Sequence, residues 1–141
     1  MLAAVAGPAY ASRFAGSVWG KKTLNDMRIL HDVGADAIAS MYKAHGLSVQ
    51  REVYVRNPFY KVGRRYDVVV RDKDGNLVAI EWKGTVSAAE NQAKNQVLAD
   101  GWIDQHGGTV FGKRAVEAKF DGESISKVIV LHPGKSTPRL H

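Results

Sequence analysis

Apolar residues recur at spacings of three and four from Leu24 through Met27, Leu30, Val33, Ala37, Met41 and Ala44, the period of one face of an α-helix. The pattern predicts a helix over Thr23 to His45, with Thr23 as its N-cap and Gly46 as the stop just past its end. Gly34 inside it costs about 1 kcal/mol relative to alanine, so a bend is expected there. A β-rich run from Val49 to Arg56 then reads as a strand closed by Asn57-Pro58. Two further such runs, Arg65 to Asp72 and Leu77 to Lys83, flank Lys73-Asp74-Gly75, which is a hairpin signal. Ser87 to Gln105 predicts a second helix, opened by a capping box of Ser87 and Glu90. Thr109 to Phe111 and Lys127 to Leu131 are the last strands, and Val128-Ile129-Val130-Leu131 lacks polar alternation, as a strand covered on both faces does. The order α-β-β-β-α-β-β predicts an α/β (α+β) fold, a mixed central β-sheet flanked by helices.

Hairpin register decides which polar side chains meet. A two-residue turn at Asp74-Gly75 would pair Val68 with Glu81 and mix a carboxylate into an apolar face. A three-residue loop with Gly75 in the left-handed region pairs Asp72 with Asn76 instead. Tyr66, Val68 and Val70 then oppose Trp82, Ile80 and Val78, and Asp67 opposes Glu81 with Lys83 further along the same face. A slip of one residue exchanges core and solvent faces, so the apolar pattern selects the second register.

Two facing carboxylates repel unless a cation separates them. Oxygen ligands favour magnesium, with manganese and zinc as alternatives, and such an ion acidifies water and offsets charge on a phosphate. Lys83 would orient that water or stabilise the transition state. Asp67, Glu81 and Lys83 thus form a candidate site for phosphodiester hydrolysis. The competing explanation is an ordinary polar sheet face held by cross-strand ion pairs. Trp82 alternates with Val78 and Ile80 and reads as core.

Twenty Lys+Arg against fourteen Asp+Glu give a net charge of +6, which favours a polyanionic partner. Arg51, Arg56, Lys61, Arg64, Arg65 and Arg71 crowd around Asp67 in sequence and suit phosphate contacts. Phe59 and Tyr60, in the loop before them, are candidates for stacking on a base or for anchoring the loop. The absence of cysteine excludes disulfides, thiolate zinc sites and cysteine nucleophiles. The chain also lacks a phosphate-cradling glycine motif and an apolar run long enough to span a membrane. Its length of 141 residues predicts one domain over 23–141. The small-residue stretch 1–22 reads as a linker or truncated upstream segment; Gly7 and Pro8 interrupt it, which argues against a signal peptide.

An acid in one strand, then Glu81-Trp82-Lys83 in the next, then a helix from Ser87 resembles the PD-(D/E)xK nuclease superfamily, with Tyr66 where the motif's proline would stand. The resemblance covers roughly Thr23 to Leu131 and implies a restriction-endonuclease-like core and a divalent-metal-dependent endonuclease. It implies a further metal ligand on the first helix, nine to eleven residues before the glycine that ends it, where Asp36 is the choice and Asp32 and Glu52 are rivals. It also implies site-lining polar residues on the second helix, here Gln92 and Gln96. Small basic nucleases after a linker resemble the C-terminal toxin domains of contact-dependent inhibition and other polymorphic toxin systems. That implies secretion or delivery into a target-cell cytoplasm, an acidic immunity protein as partner, and tRNA or DNA as substrate, with tRNA preferred. Two alternatives stay open: a metal-independent ribonuclease using histidine and glutamate, and a non-catalytic nucleic-acid-binding module.

Overall fold

The computed structural model describes residues 24–57, 63–90 and 92–141. Helix α1 spans Leu24–Ala44, followed by strands β1 (Val49–Arg56), β2 (Gly63–Arg71) and β3 (Leu77–Trp82). Helices α2 (Val86–Glu90) and α3 (Lys94–His106), strand β4 (Thr109–Phe111), helix α4 (Lys113–Ala118) and strand β5 (Ile125–Leu131) complete the order. The five strands form one mixed sheet in the order β4-β1-β2-β3-β5, antiparallel except for the β3–β5 pair. This is the α+β arrangement of a mixed sheet flanked by helices that the pattern predicts. Among the described residues no helix is long and apolar enough to cross a membrane.

The β2–β3 register is the glycine-offset one. Val68 pairs with Ile80, Val69 with Ala79 and Val70 with Val78. The Asp72 amide donates to Asn76 across a three-residue loop, and Gly75 sits at φ +87°. The Asp72 carboxylate accepts from the Asp74 and Asn76 amides, both at 2.9 Å, and so fixes the turn by itself.

Each face of the sheet carries a core. Val68, Val70, Val78, Ile80, Trp82, Ile129 and Leu131 pack with Ala35, Ile38, Ala39, Met41 and Tyr42 of α1. Val53, Val55, Tyr66, Val69, Leu77 and Ala79 pack on the other face with Ile103, Val110, Ala115 and Phe120. The membership reveals a switch of faces. Val68 and Tyr66 are two residues apart in one strand and belong to opposite cores, where regular alternation would put them together. The same switch occurs in β1, where Val49 packs against the first core and Val53 belongs to the second. Between them lies Glu52 at φ 55°, a left-handed backbone that re-aims every later side chain of β1.

Three expectations need correction. The buried side of α1 is turned from the stripe through Leu30 and Val33: Val33 is 47% exposed, while Gly34, Ala35, Ile38 and Tyr42 face inward. Trp82 explains the choice. Its indole lies so close to Gly34 that an added Cβ would come within 2.6 Å of Cε2, so only glycine admits the helix at this distance. Second, the segment after β3 is two helices, with position 91 outside the described residues, and the Ala88 amide donates to Thr85 Oγ1 at 2.9 Å, making Thr85 rather than Ser87 the cap. Third, the sequence pattern does not announce α4, which has six residues and buries Ala115 alone.

Candidate active site

Beyond Val68 and Ile80 the β2–β3 ladder stops, although the same register carried on would pair Asp67 with Glu81 and Tyr66 with Trp82. The loop closes on the hydrogen-bonded pair Asp72–Asn76, so by alternation the Trp82 amide should donate to the Tyr66 carbonyl. Instead it donates to Asp67 Oδ2 at 2.7 Å. The Asp67 carboxylate thus lies at the point where the strands part and takes the place of a ladder bond. Strand β3 remains ordered there because its other edge stays paired with β5 as far as Trp82 and Leu131.

His31 of α1 reaches the same spot. Its Nε2 lies 3.0 Å from the Trp82 carbonyl and 3.2 Å from Asp67 Oδ2, two acceptors that together require the proton on Nε2. Its Nδ1 is 3.7 Å from Asp32. The hydrogen bond to Asp67 raises the His31 pKa above its ordinary value, against the opposing effect of burial.

Glu81 points to the side of α3. Arg64 Nη2 donates to Glu81 Oε2 at 2.7 Å, and its Nε donates to Asp100 Oδ1 at 3.0 Å. Asp100 also accepts from the Tyr66 hydroxyl at 2.5 Å. Arg64 is therefore held between two buried carboxylates, one from the sheet and one from the helix. Burial and the neighbouring Asp67 carboxylate push Glu81 up to about 8, although Arg64 and Lys83 pull it down. Burial also opposes ionisation of Asp67, but hydrogen bonds from His31, Glu81 and the Trp82 amide hold it at about 2. Two adjoining carboxyls pushed in opposite directions share one proton near neutrality.

The structure therefore brings Asp67, Glu81 and Arg64 together, with the Lys83 charge close enough to act on Glu81. Asp36 is not brought in: it is 66% exposed and paired with Arg51, which also donates from Nε to the Asp67 carbonyl at 2.8 Å. Of its rivals, Asp32 lies 3.7 Å from both His31 and Arg51, and Glu52 occupies the left-handed position in β1. Among the described residues, no three His, Asp or Glu side chains are grouped to hold a metal ion. Gln92 precedes α3 and Gln96 lies in its first turn, so the two do not share a helix face; Gln92 Nε2 is buried without a hydrogen-bond partner. Arg56 and Arg65 are exposed on the sheet. Lys61, Phe59 and Tyr60 lie outside the described residues.

Sequence reasoning missed His31 and Asp100. A signal existed for each. His31 precedes Gly34, Ala35 and Ile38 at helical spacing, and Asp100 stands between Ala99 and Ile103, the buried positions of α3. A polar residue in phase with small or apolar ones points inward. Comparisons with protein-family models, with curated proteins and with solved structures returned no match.

Proposed function

We propose that the chain is a divalent-metal-dependent nuclease that hydrolyses phosphodiester bonds of tRNA or DNA, acting from the parting of β2 and β3. The observation that carries this reading is the Asp67–Glu81 pair: two buried carboxyls from adjacent strands, one held down at about 2 and the other pushed up to about 8. Repulsion of that kind is what a hard cation relieves. The donor set fits magnesium or manganese, which commonly take one or two carboxylates and leave their other positions to water and phosphate. When bound, the ion supplies an acidified water and charge neutralisation at the phosphate.

The protein's own groups do the rest. Asp67 is held in place by the Trp82 amide and His31, and Glu81 by Arg64, so both carboxylates are positioned before substrate arrives. Lys83 stands one residue beyond Trp82, where its ammonium can orient water or offset charge on the phosphate. Arg64, with Asp100 and Tyr66 behind it, presents a fixed guanidinium beside Glu81. The resemblance adds a delivered toxin as the biological setting and an acidic immunity protein as the partner that would cover this basic region.

When total tRNA and plasmid DNA are each incubated with the purified protein, at least one should be cut with magnesium and left intact with EDTA. Asp67→Ala and Lys83→Ala should abolish cleavage while the far-ultraviolet circular dichroism stays unchanged. Cleavage by either variant would overturn the assignment. One observation favours a second reading. His31 donates to Asp67 beside a Glu81 that is protonated at neutral pH, the equipment of a metal-free acid–base ribonuclease. Cutting of RNA that persists in EDTA and is lost in His31→Gln would select that reading.

A further inference from the structure

The face of the sheet that α1 covers extends past the helix and carries a surface that the carboxylate site does not use. Val53, Val55, Tyr66 and Val110 all point into the core on the opposite face, so Tyr54, Arg56, Arg65 and Phe111 emerge together on this one. Tyr54 is the centre of the row, with Phe111 directly opposite on β4 and Arg65 directly opposite on β2. It is 46% exposed, and its ring centroid lies 5.9 Å from that of Phe111. The Arg56 guanidinium stands over the Phe111 ring at 4.8 Å. Gly63 pairs with Arg56, and a Cβ there would lie 3.7 Å from Phe111 Cζ, so the edge of that ring is bordered by glycine. Neither Arg56 nor Arg65 joins an ion pair among the described residues.

An exposed aromatic flanked by arginines supplies a π-face for a base and positive charge for the phosphates on either side. A duplex cannot use it, because base faces are stacked inside the helix and only their edges are open in the grooves. We infer that Tyr54, with Phe111, Arg56 and Arg65, forms a stacking platform for single-stranded nucleic acid. An unpaired base lies on Tyr54 and the backbone runs along the arginines. Arg65 lies two residues before Asp67, which meets His31 on the α1 side of the sheet, so a strand leaving the platform past Arg65 passes towards the point where β2 and β3 part. The inference deepens the nuclease reading by naming unpaired regions, such as tRNA loops, as the substrate class, and rests on that reading only for the link to cleavage.

The test is fluorescence anisotropy with the whole chain in EDTA, using a labelled RNA of about twelve nucleotides. The same strand annealed to its complement, and an abasic strand of the same length, serve as comparisons. The single strand should bind at least about tenfold tighter than either comparison. Tyr54→Ala should weaken its binding by about 5- to 100-fold, and Tyr54→Phe should hold it within about twofold. Equal binding of the duplex or of the abasic strand would overturn the platform, as would an unchanged affinity in folded Tyr54→Ala. Should Tyr54→Ala fail to fold, the abasic comparison on the natural chain decides alone. The two readings separate cleanly. Strand-selective binding without cleavage in magnesium overturns the nuclease and leaves the platform, whereas cleavage without strand preference overturns the platform alone.

Discussion

A cation held by both carboxylates must compete with the proton on Glu81, and the strength of that competition follows from the structure. With Glu81 pushed up to about 8, about 99 molecules in 100 carry the proton at about pH 6, so binding must expel it. Apparent affinity should then rise close to tenfold per pH unit and level off near pH 8, about 50-fold between about pH 6 and pH 8, or about 2 kcal/mol. A glutamate at its ordinary value near 4.5 would give a flat profile over the same range, because it is ionised throughout. Isothermal titration of manganese into the protein at a series of pH values measures the slope directly. Repeating it in buffers of different ionisation enthalpy counts the protons released, about one per ion at about pH 6.5. His31 contributes in the same direction, since its raised pKa puts a positive charge beside Asp67. Glu81→Gln isolates that share: the remaining slope belongs to His31, and the steep part should be gone. Manganese affinity that is flat from about pH 6 to pH 8, with no proton release, would refute the argument that Glu81 is a ligand.

Other consequences concern stability. A folded-state pKa raised from 4.5 to about 8 contributes stability at low pH that is lost as pH climbs through that window, while Asp67, lowered from 3.8 to about 2, contributes stability that is lost only as pH falls towards 2. Between 4.5 and about 8 the natural chain must take up a proton at Glu81 on folding and a glutamine need not, so urea denaturation should show Glu81→Gln gaining on the natural chain by about 1 kcal/mol for each pH unit between about pH 5 and pH 8. Gly34→Ala should lower the urea midpoint, because overpacking against Trp82 costs about 1–3 kcal/mol and outweighs the roughly 1 kcal/mol gained in helix propensity; a rise would refute the close approach. Asp100→Ala leaves the buried Arg64 without its helix partner and should cost about 3 kcal/mol in the same assay. Glu123→Ala, which breaks the half-exposed bidentate pair with Arg71, should cost less than about 1 kcal/mol.

How much of this was legible in the sequence depends on how far each fact is from local chemistry. The hairpin register was legible because its determinants are adjacent: Asp72 caps its own loop, Gly75 takes the left-handed position, and the apolar residues of both strands alternate in step. That register, carried one residue past the last pair Val68–Ile80, directs Asp67 towards Glu81. The helix contributions were not legible, because the rotation of a helix is set by what it packs against. In α1 the larger apolar residues suggested one face, and Trp82, far along the chain, selected another made of Gly34, Ala35 and Ala39, small enough to let the helix approach. That choice carried His31 onto Asp67 and left Asp36 exposed, paired with Arg51.

The face switch is the deeper case. Glu52 has no chemical reason, as a glutamate, to adopt φ 55°, and a sequence reading assigns it an ordinary strand position. Yet without a change of phase in β1 and β2, Val53, Val55 and Tyr66 would point towards α1, and the second core would lose three of its members. Val53, Val55 and Tyr66 reach the second core only because each strand changes face midway. The ladder breaks where it does so: Asp67 lies between Tyr66 and Val68, the two residues that point into opposite cores. Its carboxylate then serves as hydrogen-bond partner to the Trp82 amide that continued β2–β3 pairing would have satisfied. The site therefore sits at the place where packing forces the sheet to part, and the acid that repairs the broken ladder is the one left facing Glu81.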